Sequence, residues 1–94
     1  MSYINLTYAD SFYFDLEEIE NYLEEHYPRF LELTFLEIER VIDIIVENPF
    51  IGRNGKLENT REFLLKKLPY FIVYEINDDK LNILNIIHYS RNYP

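Results

Sequence analysis

The chain contains no cysteine, which excludes disulfides, cysteine–zinc sites and thiol nucleophiles. Its apolar runs are short, as in Phe71-Ile72-Val73-Tyr74. None approaches the roughly 18 apolar residues of a membrane-spanning helix. Met1-Ser2-Tyr3-Ile4-Asn5 carries no positive charge of the kind that opens a secretory signal. There is no phosphate loop and no G-x-G-x-x-G, and none of Ser2, Ser11 and Ser90 sits in a G-x-S-x-G elbow. His26 and His88 make no metal motif, and the helical carboxylates lack the Gly, Asn and Asp of a calcium loop. Bases are scarce, with 9 Lys plus Arg against 17 Asp plus Glu and a net charge of −8. That sign argues against an indiscriminate nucleic-acid binder. The expectation is a soluble, intracellular domain with no metal, no cofactor and no membrane contact.

What is present suits a packed fold. The 94 residues are 48% hydrophobic and 17% aromatic, enough for one domain spanning 1–94. Charge is divided unevenly. The stretch 9–48 holds twelve of the acids and only two bases, Arg29 and Arg40, whereas 49–94 holds seven bases and five acids. The first half reads as a solvated helical surface or as an acidic face that helps select a partner.

Ile4, Leu6 and Tyr8 alternate with Asn5 and Thr7, which predicts a short strand over Tyr3 to Tyr8. Asp10 or Ser11 can cap a helix whose apolar stripe is Phe12, Leu16, Ile19, Leu23 and Tyr27. Pro28 ends it and suits the first turn of a second helix. There Leu31, Phe35, Ile38, Ile42 and Ile45 form one stripe, and Leu33, Leu36, Val41, Ile44 and Val46 add a flank. That breadth predicts burial on two sides. Asn48-Pro49 stops the helix, and Phe50 to Asn59, with both glycines, reads as a loop. Strands are expected over Arg61 to Leu68, Tyr70 to Ile76 and Leu81 to Tyr89, with Asn77-Asp78-Asp79-Lys80 as a hairpin turn. Alternation puts Tyr70, Ile72, Tyr74 and Ile76 on one face. It puts Leu84, Ile86 and His88 on one face of the last strand and Ile83, Asn85 and Ile87 on the other. The order β-α-α-β-β-β predicts an α+β two-layer sandwich, a helical hairpin packed on a mainly antiparallel sheet. Both sheet faces are apolar, so a partner is expected over the second.

The second half carries the candidate chemistry. Arg53, Arg61, Lys66 and Lys67 interleave with Tyr70 and Tyr74, and His88, Tyr89, Arg91 and Tyr93 end the chain. Cations with aromatics can hold a phosphate and stack a base. A His or Tyr beside an Arg can move a proton while the Arg stabilises charge on phosphorus. The same residues also read as packed sheet tyrosines, edge-strand lysines and an arginine in a structural ion pair, with Glu62 or a helix acid as its partner.

Asp15-Leu16-Glu17-Glu18-Ile19 through Tyr22, Asn48-Pro49-Phe50-Ile51-Gly52-Arg53, Thr60-Arg61-Glu62, Leu68-Pro69-Tyr70-Phe71-Ile72-Val73-Tyr74, and Ile83 to His88 with Arg91 follow one another in order along the chain. Together they resemble the RelE/ParE superfamily of bacterial toxin–antitoxin toxins, and the pieces from Pro49 to Tyr74 look more like its ParE side. The resemblance implies a small toxin of a type II system, often one that stabilises a plasmid, neutralised by a cognate antitoxin that wraps around it. It implies one of two activities. The ParE-like branch poisons DNA gyrase. The RelE-like branch cleaves messenger RNA on the ribosome, and in that reading Arg61, His88, Arg91 and Tyr93 match its catalytic positions. Arg53, Lys66, Lys67, Tyr70 and Tyr74 are the candidate contacts to substrate or target. A third possibility is a scaffold without toxicity that survives as an antitoxin-binding module. Acidic helices would be repelled by ribosomal RNA, which favours the gyrase reading. They also predict that the antitoxin segment carries basic residues or docks on the apolar and basic sheet half.

Overall fold

The computed structural model describes residues 5–89. Strand β1 (Asn5–Tyr8) leads into helix α1 (Asp10–His26), a 3₁₀ turn (Pro28–Phe30) and helix α2 (Leu31–Glu47). Four strands follow: β2 (Arg53–Asn54), β3 (Thr60–Leu64), β4 (Tyr70–Asn77) and β5 (Lys80–His88). They form one sheet in the order β1-β5-β4-β3-β2. β1 runs parallel to β5, and every other pairing is antiparallel. The expected α+β sandwich is the observed one, with the two-residue β2 as an addition. Two residues offer no alternation, so periodicity alone assigns this stretch to the loop.

The helices bury the predicted stripes. Phe12, Ile19 and Leu23 of α1 and Ile38, Val41, Ile42 and Ile45 of α2 meet Ile72, Tyr74, Leu81 and Ile83 of the sheet in one core. Tyr27 caps α1 and is exposed, because the chain turns away there into the 3₁₀ segment. The flank of α2 divides. Val41 is buried, but Leu33 and Leu36 are exposed beyond the reach of α1. Leu33 and Leu36 are thus a correction to the expectation of burial on two sides.

Three further expectations change. The N-cap of α1 is Ala9, in extended backbone and without a side-chain cap. The Ser11 hydroxyl instead donates to the Leu84 carbonyl at 2.6 Å. β3 ends at Leu64. The Leu65 N–H still donates to the Tyr70 carbonyl, but the chain then bends, so Lys66 and Lys67 lie in a connection closed by Pro69. Finally, β5 contains a bulge. Val73 pairs with Asn85 and Tyr74 with Ile83, leaving Leu84 as an extra residue. Simple alternation fails across it, so Ile83 and Ile86 both face the core. At the other end of the hairpin the turn Asp78-Asp79 is as expected, with Asp78 at φ 55°. Asp tolerates that left-handed backbone better than most residues.

α1 and its N-cap bond the part of β5 at and beyond the end of its pairing with β1. The Asp15 carboxylate accepts the Ile86 N–H at 3.0 Å and the Asn85 side-chain amide at 2.9 Å. The Ala9 N–H donates to the Ile83 carbonyl at 2.9 Å. Phe71 and Val73, alternating with the core residues of β4, are buried on the opposite face. Among the described residues no helix is long and apolar enough to cross a membrane.

Candidate functional site

The candidate residues fall into separate groups. The first surrounds the loop from α2 to β3. Tyr74 stands in mid-β4, 0% exposed, with its ring in the core. Its hydroxyl donates to the Pro49 carbonyl at 2.8 Å and accepts the Gly52 N–H at 3.0 Å. Arg61 pairs across the strands with Tyr74. Its Nη1 donates to the carbonyls of Gly52 at 2.6 Å and Phe50 at 3.2 Å, and its guanidinium lies 5.0 Å from the centroid of the Phe50 ring. Arg53 pairs with Glu62, which is only 7% exposed, and both Nε and Nη2 reach Oε1 at 3.1 and 3.0 Å. Glu62 therefore serves Arg53, and Arg61 is held by backbone carbonyls.

Gly52 is required by this packing. A Cβ there would lie 2.8 Å from the Tyr74 hydroxyl and 2.9 Å from the Glu62 carbonyl. Burial pushes the Tyr74 phenol above its ordinary pKa, against the opposing pull of the Gly52 N–H and the Arg61 charge. A neutral hydroxyl suits its paired donor and acceptor roles.

The second group lies at the far end of β4. Tyr70 pairs with His88, and their rings meet edge to face at 5.2 Å. Four residues of strand separate Tyr70 from Tyr74, about 13 Å. Arg61 and His88 are therefore not brought to one centre. Arg91 and Tyr93 lie outside the described residues. Lys66 and Lys67 border two different depressions on the α2 side, Lys66 beside Val41 and Phe63, and Lys67 beside Leu33, Leu36 and Leu68.

A cavity of about 400 Å³ separates α2 from the connection after β3, lined by Phe30, Leu33, Leu36, Leu68 and the charged groups Glu37, Arg40 and Lys67. Arg40 grips the mostly buried Glu37 with two hydrogen bonds of 2.8 and 2.9 Å. Those bonds hold the carboxyl below the usual carboxylate range. Burial opposes them, and the charges of Arg40 and Lys67 add to them. Among the described residues no group of three or more His, Asp or Glu is placed to hold a metal ion.

Sequence reasoning missed Asp15, the Arg53–Glu62 pairing and the exposed Phe50 and Leu57. Asp15 left a signal, since it stands three residues from Phe12 and four from Ile19, an acid on the apolar stripe. The other two depend on the loop path, which no periodicity encodes.

An αα-hairpin thus lies on a five-stranded sheet with one parallel edge, an α+β fold in which the buried Tyr74 and the half-buried Arg61 pin the loop between α2 and β3. Residues 6–93 match the family described as "ParE toxin of type II toxin-antitoxin system, parDE". The chain belongs to that family, within the RelE/ParE superfamily. It is 34% identical over 79 residues to "Putative toxin Y4kP" of Sinorhizobium fredii, covering 84% of this chain and 81% of that protein. Its fold resembles the structure titled "Chromosomal ParDE TA system from P. aeruginosa", with a TM-score of 0.79 at 18% identity over 90% of this chain and 95% of the other. It also resembles "YoeB/ParE toxin from Agrobacterium tumefaciens", with a TM-score of 0.60 at 16% identity over 96% of this chain and all of the other.

Proposed function

We propose that this type II toxin arrests growth in the cytoplasm by poisoning DNA gyrase through protein–protein contact, and that a cognate antitoxin neutralises it. The observation that carries the reading is the engagement of Arg61. Ribonuclease chemistry asks an arginine at this position to meet the charge on a phosphate. Here its guanidinium is committed to the Gly52 and Phe50 carbonyls and to the Phe50 ring. The net charge of −8 also disfavours approach to ribosomal RNA and leaves contact with a protein unhindered. The His88–Tyr70 contact is the feature that favours the ribonuclease alternative, because both groups can exchange protons.

For the antitoxin we favour the depression beside α2. Leu33 and Leu36 are exposed there, and Arg40 and Lys67 stand at the same place. An apolar segment carrying acids fits such a lining. This departs from the expectation of a basic segment or of docking on the sheet half, since most of the lining comes from α2 and the turn before it. A role in plasmid maintenance follows if the toxin–antitoxin pair is plasmid-borne.

Two assays on the same protein separate the readings. Gyrase poisoning gives inhibited supercoiling and trapped DNA breaks, with transcripts intact. Messenger cleavage in a ribosome-dependent assay, with gyrase unaffected, would reverse the assignment. In that case Arg61→Ala and His88→Ala are expected to abolish cleavage.

A further inference from the structure

The loop between α2 and β3 is pinned at every turn. Pro49 and Gly52 are tied to the Tyr74 hydroxyl, and Phe50 and Gly52 to Arg61. The Gly55 N–H donates to the Thr60 carbonyl at 2.8 Å, and the Thr60 hydroxyl donates to the Leu57 carbonyl at 2.5 Å. Both of the chain's glycines stand in this loop. A Cβ at Gly55 would collide with Thr60 Oγ1, as one at Gly52 would with Tyr74. Asn59 adopts a left-handed backbone with φ 65°. Restraint of this kind is costly in conformational freedom, yet the loop does not cover the core with its largest apolar side chains. It presents them to water, with Leu57 73% exposed and Phe50 65% exposed. A concavity of about 430 Å³ includes both, with Lys56 and Arg61 in its lining against the single acid Glu58.

We infer that this loop is the target-docking surface of the toxin, with Phe50 and Leu57 as anchors and Arg61 and Tyr74 as positioning residues. The inference rests on the gyrase reading and names the surface through which it works. The partner it fits is a protein segment that offers an apolar side chain flanked by carboxylates. Apolar anchors on a rigid frame lose little entropy on binding, which is what makes a small patch effective. Residues 49–62 carry three bases and two acids in a chain of net −8, and one of the bases, Arg53, is paired with Glu62. This is a place where an acidic protein surface meets attraction.

The test uses the full chain, purified gyrase and relaxed plasmid. Leu57→Glu and Phe50→Ala are compared with the parent for the concentration that half-inhibits supercoiling, after thermal melts confirm folding. Each is expected to raise that concentration by about tenfold or more. Lys56→Glu is expected to raise it by a smaller factor. Should Phe50→Ala fail to fold, Leu57→Glu decides alone, since its side chain is mostly in solvent. Parent-like inhibition by Leu57→Glu overturns the docking surface and leaves the gyrase reading intact. A parent that leaves gyrase untouched but cuts messenger on the ribosome overturns the gyrase reading, and the docking inference with it.

Discussion

The hydroxyl of Tyr74 and the backbone N–H of Gly52 are hydrogen-bonded at 3.0 Å across 22 residues of sequence. The same hydroxyl donates to Pro49, so one side chain fixes the loop at two points near its start. The sequence pieces that carry the family resemblance therefore interlock. Pro49, Gly52 and Arg53 come from one, Arg61 and Glu62 from another, and Tyr74 from a third. Much of the signature describes how a loop is held.

Replacing Tyr74 by Phe keeps the ring and removes the hydroxyl. The buried Gly52 N–H and the Pro49 carbonyl then lose their partner, which costs about 1–3 kcal/mol. Urea denaturation of the variant is expected to show a lower midpoint at an unchanged slope. The parent also has a dependence on alkaline pH that the variant loses in part. The Tyr74 phenol is raised in the folded state, chiefly by burial. Its contribution is complete below the unfolded phenol pKa, about 10, and falls as pH rises through the folded value, because only the unfolded chain has released its proton. Tyr74→Phe starts from lower stability and declines less steeply above pH 10 or so. Equal slopes in parent and variant would contradict this assignment.

Gly52→Ala tests the close approach itself. The added methyl falls within 3 Å of the Tyr74 hydroxyl and of the Glu62 carbonyl. The second contact is backbone and cannot swing away. Overpacking of this kind costs about 1–3 kcal/mol. Loss should register in thermal unfolding and in faster proteolysis between 49 and 59. A variant as stable and as protease-resistant as the parent would show that the loop yields freely.

The architecture was legible because it is written in periods. The stripes from Phe12 to Leu23 and from Ile38 to Ile45 are buried as their spacing requires. The alternation of Tyr70, Ile72 and Tyr74 gives one face of β4. What alternation could not give is the phase of β5 after Ile83, because an extra residue leaves hydrophobic composition unchanged. Nor could it show that Arg61 meets carbonyls while Glu62, its neighbour, meets Arg53. Adjacent strand residues point to opposite faces, so the two side chains serve different partners. The candidate site was legible as a list of residue types. Its division between the Tyr74 and Tyr70 ends of β4 was not, because position along a strand is visible only once the register is set.

Asp15 offers a test of how the helical layer is tied to the sheet. Its carboxylate accepts the N–H of Ile86, which lies beyond the stretch of β5 that β1 pairs with, and the Asn85 amide. Asp15→Ala leaves that N–H without its partner and is expected to lower stability by about 1–3 kcal/mol. Asp15→Asn retains an acceptor oxygen and should restore part of the loss. Amide exchange at Ile86 provides the local measurement, with faster exchange in the alanine variant. Protection at Ile86 equal to that of the parent would mean that the Asp15 contact contributes nothing to this part of β5.

The depression beside α2 makes a prediction about neutralisation that is independent of the target. The first half of the chain has only two bases. Arg40 lines this depression, and Arg29 stacks on Phe30 at its end, 4.9 Å from the ring centroid. Leu36, 53% exposed, lies between them on the helix surface. An apolar and acidic antitoxin segment would place its side chains against Leu33 and Leu36 and its charges toward Arg40 and Lys67. Leu36→Glu then sets a carboxylate against both apolar and acidic groups of the partner. Calorimetry with the antitoxin encoded beside this toxin is expected to show affinity reduced by about tenfold or more, with the toxin still folded and toxic. Co-expression should consequently fail to rescue growth. Unchanged affinity would place the neutralising segment elsewhere, and raising the salt concentration would then leave binding to the parent unweakened as far as Arg40 and Lys67 are concerned.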